Sequence, residues 1–179
     1  WTTVHQTTTG TGGTQNITFT GTGRYVRVHT TARATQYGVS LWEFAVRTGT
    51  SSGGGGGDGL LSYNKPAFAS SYQDDGACPQ CTPAKALDLN PATRWATSPT
   101  TGWVDPGWIY VDLGATAQVS KVVLQWDPAF ASGFEIQTSA TASSWTTIHT
   151  VTNGTGFKQT FAVNGTGRYV RVNLTKRSG

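Results

Sequence analysis

Trp1-Thr2-Thr3-Val4-His5 recurs with Ile in place of Val, and Gly21-Thr22-Gly23-Arg24-Tyr25-Val26-Arg27-Val28 recurs unchanged. They return as Trp145-Thr146-Thr147-Ile148-His149 and Gly165-Thr166-Gly167-Arg168-Tyr169-Val170-Arg171-Val172. With the offset held at 144, 19 of the 33 positions of Trp1–Arg33 and Trp145–Arg177 are identical, without a gap. Such a repeat sets the architecture before any strand is assigned. Between the copies lies Ser51-Ser52-Gly53-Gly54-Gly55-Gly56-Gly57-Asp58-Gly59, a flexible linker by composition. The chain therefore reads as three parts. Residues 1–50 are the C-terminal part of a preceding unit, 51–59 the linker, and 60–179 a second unit without its own last strand. The first copy runs on past Arg33 through Ala34-Thr35-Gln36-Tyr37-Gly38-Val39-Ser40-Leu41-Trp42-Glu43-Phe44-Ala45-Val46, whereas the sequence ends two residues after Arg177. A full unit is then ~130 residues, an ordinary domain size.

Composition narrows the class. Only 12% of the 179 residues are Asp, Glu, Lys or Arg, and 23 are Gly. An ordinary domain carries about 25% charge, and this chain lacks the Lys, Glu, Leu and Ala supply of long surface helices. All-α architecture is excluded on that ground. No apolar run approaches the ~20 residues of a membrane span. Seven Trp, six Tyr and seven Phe are far more aromatic material than solvated, disordered tails carry. The formal charge of +4 comes from 13 basic and 9 acidic side chains. Arg24, Arg27, Arg33, Lys65, Lys121, Arg168 and Arg171 are scattered, without the concentrated basic face of a nucleic-acid binder. Beginning at Trp1 with no leader, the chain reads as a mature or excised fragment of a secreted protein.

Within the second unit, short apolar-alternating runs are separated by turn residues, the pattern of an all-β fold. Ile109, Val111 and Leu113 share one face of Trp108–Leu113, and Val122, Leu124 and Trp126 one face of Lys121–Trp126. Phe134–Gln137, Trp145–Val151, Thr160–Val163 and Arg168–Leu174 continue the series. Seven or eight such strands make a β-sandwich or jelly roll. The helical candidate Pro83–Asp88 is a single turn. Trp95, Trp108, Trp145 and Trp42 are expected in the core, while Trp126 fits either core or site. His5 and His149, at equivalent strand positions, read as structural.

Cys78-Pro79-Gln80-Cys81 admits two readings. A thioredoxin-type site needs a preceding strand and a helix N-terminus, and neither is evident beside Asp74-Asp75-Gly76-Ala77 and Thr82-Pro83. The other reading is a short disulfide clamping a surface loop in an oxidising compartment.

Several motifs together resemble the discoidin domains, or coagulation factor 5/8 type C domains, and their bacterial branch, carbohydrate-binding module family 32. These are Ala84-Lys85-Ala86-Leu87-Asp88 with Thr93-Arg94-Trp95, then Trp108-Ile109-Tyr110-Val111-Asp112-Leu113-Gly114 and Val122-Val123-Leu124-Gln125-Trp126. Phe134-Glu135-Ile136-Gln137-Thr138-Ser139 and Gly167-Arg168-Tyr169-Val170-Arg171-Val172 follow in the family's order. Tyr37-Gly38-Val39-Ser40-Leu41-Trp42-Glu43-Phe44 is similar to the family's closing strand. The resemblance covers nearly everything except the linker. It implies a galactose-binding-like β-sandwich whose end loops hold a ligand, without catalysis. It also leaves the second unit short of a closing strand, an unpaired edge. Ser40–Val46 is positioned to supply it. The 13 residues between Val46 and Leu60 reach about 20 Å as a coil. The strand then closes the same molecule, closes a neighbour in a strand-swapped homodimer, or stays with the missing rest of the first unit in another chain.

Asp88-Leu89-Asn90-Pro91-Ala92-Thr93 is either a turn held by Asx and Thr hydrogen bonds or a calcium cradle, since calcium takes 6–8 hard oxygens. In the family the corresponding turn often binds structural calcium. Carried over, Lys85 and Asn90 offer carbonyls, Asp88 and Glu43 carboxylates, and Thr93 a hydroxyl and a carbonyl. Family members usually have Gly where this chain has Leu89.

Sugar binding needs an aromatic face and hydroxyl-bonding side chains. The loop candidates are Tyr72-Gln73-Asp74-Asp75, the stretch Thr97–Pro106 with Trp103, and Trp126-Asp127-Pro128-Ala129-Phe130. Arg177 adds a guanidinium, with Arg33 its first-copy equivalent beside Tyr37. Trp103, in a Gly- and Pro-flanked loop, is the expected stacking platform. Catalysis is not expected: no carboxylate pair suited to glycoside cleavage stands out, and no nucleophile elbow occurs. The sequence thus reads as a non-catalytic carbohydrate-binding module of a secreted bacterial polysaccharide-active protein. An adhesive module assembling by exchange of closing strands is the alternative.

Overall fold

A computed structural model describes residues 1–47, 59–103 and 105–178. The linker expected at 51–59 lies outside the described residues apart from Gly59. The elements in chain order are β1 (Thr2–Arg33), β2 (Ser40–Arg47), β3 (Ala67–Ala69), β4 (Gln73–Asp75), β5 (Cys78–Cys81), a 3-10 turn (Pro83–Ala86), β6 (Trp95–Ala96), β7 (Gly107–Trp126), β8 (Ala131–Ser139) and β9 (Thr146–Arg177). The helical candidate is that single turn, with Pro83 at its start. No helix among the described residues is long and apolar enough to cross a membrane.

Hydrogen bonding links the strands in the order β1-β8-β9-β7-β2-β6, with β3 on β7, and β4 and β5 form a separate hairpin. Two runs expected as separate strands are one bent ribbon in β7, which turns at Gly114 (φ +85°). In β9, residues Thr146–Val151 pair with Phe134–Thr138, Lys158–Ala162 with Lys121–Gln125, and Tyr169–Leu174 with Gly107–Asp112. Bent strands of this kind wrap a sandwich around one core.

Alternation places the core. Ile109, Val111, Val122, Leu124, Phe134, Ile136, Val170 and Val172 are fully buried. Each such side chain contributes roughly 1.5–3 kcal/mol by leaving water. Trp95 is buried with its indole N–H donating to Ser71 O at 3.0 Å, and Trp145 is buried with its N–H on Ala142 O at 3.0 Å. Trp126 is core as well, tilted against Phe134 at 5.2 Å. Trp108 departs from expectation. It alternates with Ile109, so once Ile109 faces inward Trp108 faces outward, half-buried and stacked on Tyr110, which stacks on Phe68. Trp42 is also only half-buried, under the Arg94 guanidinium.

The closing strand comes from the N-terminal partial repeat of the same chain. β2 pairs antiparallel with β7, Phe44 opposite Leu124 and Val46 opposite Val122. Leu41, Phe44 and Val46 are fully buried there. The Ser62 hydroxyl accepts from Val46 N–H at 3.0 Å and donates to Phe44 O at 3.3 Å, locking the strand's end. A neighbour's strand is not needed to complete this sheet.

Val26, Arg27 and Val28 are in register with Val111, Tyr110 and Ile109, as are their repeat equivalents Val170, Arg171 and Val172. Arg33 and Arg177, also equivalent, both reach Asp105.

Candidate functional site

A cavity of about 650 Å³ opens at one end of the sandwich, built by four chain segments. Residues 35–40, between β1 and β2, form one wall with Tyr37. The β4–β5 hairpin brings Gln73, Asp75 and Ala77. The loop on either side of β6 brings Arg94, Thr97, Pro99 and Trp103, and the β7–β8 loop brings Asp127, Pro128 and Ala129. This volume is in the range of small-ligand pockets.

The aromatic wall is Tyr37 against Trp103, edge to face, with ring centroids 6.2 Å apart at 83°. Tyr37 is exposed and Trp103 half-exposed. Trp103 is delivered by an unusual loop. Gly102 and Trp103 both take positive φ (+73° and +48°), and Gly102 N–H donates to Pro99 O at 2.9 Å. Left-handed backbone is cheap for Gly and costly for Trp, so the surrounding fold holds this indole in place. Gly38 is required opposite it. A Cβ there would fall on Thr97 Oγ1 and the Trp103 indole edge.

Main-chain bonds hold the floor. Val39 N–H donates to Thr97 Oγ1 at 2.8 Å and Thr97 N–H to Val39 O at 2.9 Å. Ser40 N–H reaches Ala129 O at 2.6 Å. On the polar side, Arg94 Nε lies 3.2 Å from Asp127 Oδ2, and the Arg94 guanidinium stands 5.7 Å above the Trp42 ring. Asp75 Oδ1 accepts from Gln73 Nε2, Ala77 N–H and Cys78 N–H at 2.9–3.1 Å. These bonds, Gln73's foremost, hold the Asp75 carboxyl below its ordinary value. The hairpin behind it is tied by a disulfide between Cys78 and Cys81, whose Cα atoms are 5.7 Å apart. The clamp reading of the two cysteines therefore holds over the thioredoxin one.

The structure brings together Tyr37, Gln73, Trp103 and Asp127 of the expected ligand residues. The others do not line the cavity. Tyr72 is exposed outside it, and Asp74 accepts the Gln80 N–H at 3.1 Å within the hairpin. Trp126 ends a strand with its ring in the core, and Phe130 packs against that core. Arg33 and Arg177 turn to Asp105, whose carboxyl burial pushes up to about 6 against the pull of Arg33. Asp75, Thr97 and Pro99 also line the cavity, within the loops that the sequence offered, whereas Arg94 was missed. Arg94 was legible only as part of the Thr93-Arg94-Trp95 motif.

The turn after the 3-10 segment is a second polar cluster. Thr93 Oγ1 donates to Asp88 Oδ1 and Oδ2 at 2.9 Å each, Asn90 N–H donates to Asp88 Oδ1 at 3.0 Å, and Lys85 Nζ stands 3.7 Å from Oδ2. Leu89 adopts the left-handed conformation (φ +58°), so the turn keeps its shape without Gly. Glu43 is buried at 9% exposure, and neither carboxylate oxygen makes a hydrogen bond of good geometry. Burial first, and Asp88 second, push its carboxyl up to about 8, against smaller opposing effects of Leu89 N–H and Lys158. Among the described residues no three His, Cys, Asp or Glu side chains cluster as metal ligands. Any ion here would need the carbonyls and the Thr93 hydroxyl to complete its shell.

Residues 85–172 match the family described as the NedA-like, galactose-binding domain, of F5/8 type C. This stretch is similar to an F5/8 type C domain. The match runs from the 3-10 turn through the third pairing stretch of β9, and so spans the Asp88 turn, Trp103 and Asp127. No curated protein and no solved structure matches the chain. The F5/8 type C domain is a carbohydrate-binding type of module, non-catalytic as a family, and the all-β sandwich seen here is its galactose-binding-like fold.

Proposed function

We propose that this F5/8 type C-like domain binds a neutral glycan in the cavity between Tyr37, Trp103 and the Arg94–Asp127 pair, as the targeting module of a larger secreted polysaccharide-active protein. The observation that carries the reading is the pairing of one aromatic wall with one polar wall at the mouth of a single cavity. A sugar ring presents an apolar C–H face and a rim of hydroxyls. Trp103 and Tyr37 supply a surface for the first. Asp127 and Gln73 accept, and Arg94 and Gln73 donate, for the second. The charges lining the cavity are Arg94, Asp127 and Asp75. Arg94 is neutralised by Asp127, and Asp75 adds a negative charge, so an anionic sugar meets no free cation here.

No bond is broken in this mechanism. Binding holds the parent protein on its substrate, and tandem units raise retention through effective concentration. The test is a panel of immobilised neutral and uronic-acid glycans. At least one neutral glycan should retain the domain, with salt having little effect. Retention by acidic glycans alone, lost in salt, would overturn the reading.

We also propose calcium at the Asp88 turn. The residues fit the ion in one specific respect: a buried Glu43 carboxylate, with neither oxygen in a hydrogen bond of good geometry, stands near a second carboxylate. Asp88 and Glu43 would hold the ion, with carbonyls of Lys85 and Asn90 and the hydroxyl and carbonyl of Thr93. The ion would supply positive charge that lets Glu43 ionise inside the fold. It would thereby pin β2, which carries Glu43, to the turn, and fix Ser40 at the cavity floor.

A further inference from the structure

The β4–β5 hairpin carries two polar side chains of the cavity, Gln73 and Asp75, yet its strands are three and four residues long and pair only with each other. A two-stranded hairpin alone is marginal in water. Its base is anchored on both sides. Ser71, just before β4, accepts the Trp95 indole N–H on its carbonyl at 3.0 Å and the Ser98 N–H on its hydroxyl at 3.2 Å. Cys81, the last residue of β5, is buried at 3% exposure. Beyond the base the hairpin stands off the sandwich, because a second cavity of about 150 Å³ lies between residues 78–81 and Lys85, Thr93 and Arg94. Packing therefore does not place its outer part.

A short covalent path does. In the hairpin register Cys81 lies opposite Gln73, and Cys78 opposite Asp75. The disulfide joins Cys81 to Cys78, so the buried end of β5 fixes the residue that faces Asp75. Cys78 N–H donates to Asp75 Oδ1 at 3.1 Å, and Gln73 Nε2 donates to the same oxygen at 2.9 Å. The position of Cys81 thus passes through Cys78 to Asp75 and on to Gln73. Inside the bridge, Gln80 takes a left-handed φ of +75°, unfavourable for a residue with a Cβ. Its N–H is held by Asp74 Oδ1 at 3.1 Å. These hydrogen bonds are solvent-exposed and compete with water, whereas the disulfide does not.

Building on a glycan in this cavity, we propose that the Cys78–Cys81 bridge is the positioning element of the polar wall. It holds Asp75 and Gln73 where sugar hydroxyls meet them, and so sets which hydroxyl pattern is accepted. Asp75 Oδ1 is occupied by three donors, which leaves Oδ2 to accept from a ligand hydroxyl. A site that hydrogen-bonds a hydroxyl rejects the analogue lacking it far better than an apolar site does. Tyr37 and Trp103 stand on other segments, so opening the bridge loosens the polar wall and leaves the aromatic one in place.

The test compares three forms of the full chain: bridge intact, the double variant Cys78→Ser/Cys81→Ala, and the unaltered chain treated with a dithiol. The dithiol takes the disulfide to two thiols and leaves as its own cyclic disulfide. Each form is titrated with the glycan best retained by the bridged protein and with analogues each lacking one hydroxyl. Opening the bridge should weaken glycan binding about tenfold, the scale of one charge-assisted hydrogen bond. Preference over at least one deoxy analogue should narrow, and reoxidation of the dithiol-treated chain should restore both. The Trp103 indole shift on binding and a single cooperative melt should persist. Asp75→Asn should weaken binding in the bridged protein and change little in the double variant, as residues acting through one path are not additive. Equal affinity and preference with and without the bridge would overturn the proposal and leave the glycan site standing. So would full additivity of Asp75→Asn with bridge loss, or loss of the cooperative melt, which would make the bridge a structural staple. A bridged protein that retains no glycan overturns the glycan site itself, and this proposal with it.

Discussion

Trp103→Ala lowers the affinity for the retained glycan about thirtyfold and leaves the melting temperature within a degree or two. The ring lines the cavity, half-exposed, with Tyr37 at its edge as its aromatic neighbour. Truncating a central aromatic anchor typically costs about 2 kcal/mol or more of binding, which is roughly thirtyfold. Its loss leaves the sandwich core intact, because Trp103 is not among the buried side chains that form that core. Isothermal titration with the best glycan, beside a thermal melt, checks both halves. An unchanged affinity removes Trp103 from the site, and a large loss of stability would make it structural.

Calcium and pH should act together through Glu43. Its carboxyl is pushed from 4.5 up to about 8, chiefly by burial and then by Asp88. A carboxyl raised in the folded state favours folding when protonated. That contribution is complete below about 4.5 and is lost as pH rises through 8. In chelator, the melting temperature should therefore fall between pH 5 and pH 8. Calcium needs the ionised carboxylates, so its stabilisation should grow over the same interval. At a concentration about a hundredfold above its Kd it adds about 2.7 kcal/mol, or ~5–10 °C for a domain of this size. Asp105, raised to about 6 by burial, contributes a fall of the same sign at lower pH. Glu43→Gln separates the two, abolishing the calcium effect and flattening the profile above pH 6. A melting temperature indifferent to calcium at pH 8 would remove the ion from the account.

Much of the fold was legible because alternation is local information. Ile109, Val111, Val122 and Leu124 announce their face two residues at a time, and the repeat marks where one unit ends. Trp108 was misjudged for the same reason: its strand neighbours, not its size, decide that it points outward. The closing role of Ser40–Val46 followed from the missing strand of the second unit, and the choice of the same chain became visible only in its pairing with Lys121–Trp126. At the site, Tyr37, Trp103, Gln73 and Asp127 announce themselves as aromatic or polar loop residues. Arg94 does not, because its role arises between segments, in the pair that it makes across to Asp127. Trp126 and Phe130 looked equally suitable for stacking, but the direction of a side chain at a strand end is a tertiary fact. The repeat itself was plain in the sequence.

Backbone and indole N–H chemical-shift mapping during titration of the full chain with a retained neutral glycan tests the central claim most directly. The account expects the largest changes at the Trp103 indole, with Tyr37, Gln73, Arg94, Thr97 and Asp127 following, and little at the Phe68–Tyr110–Trp108 face of the sheet. Saturable shifts confined to that aromatic sheet face, with the Trp103 indole unmoved, would contradict it.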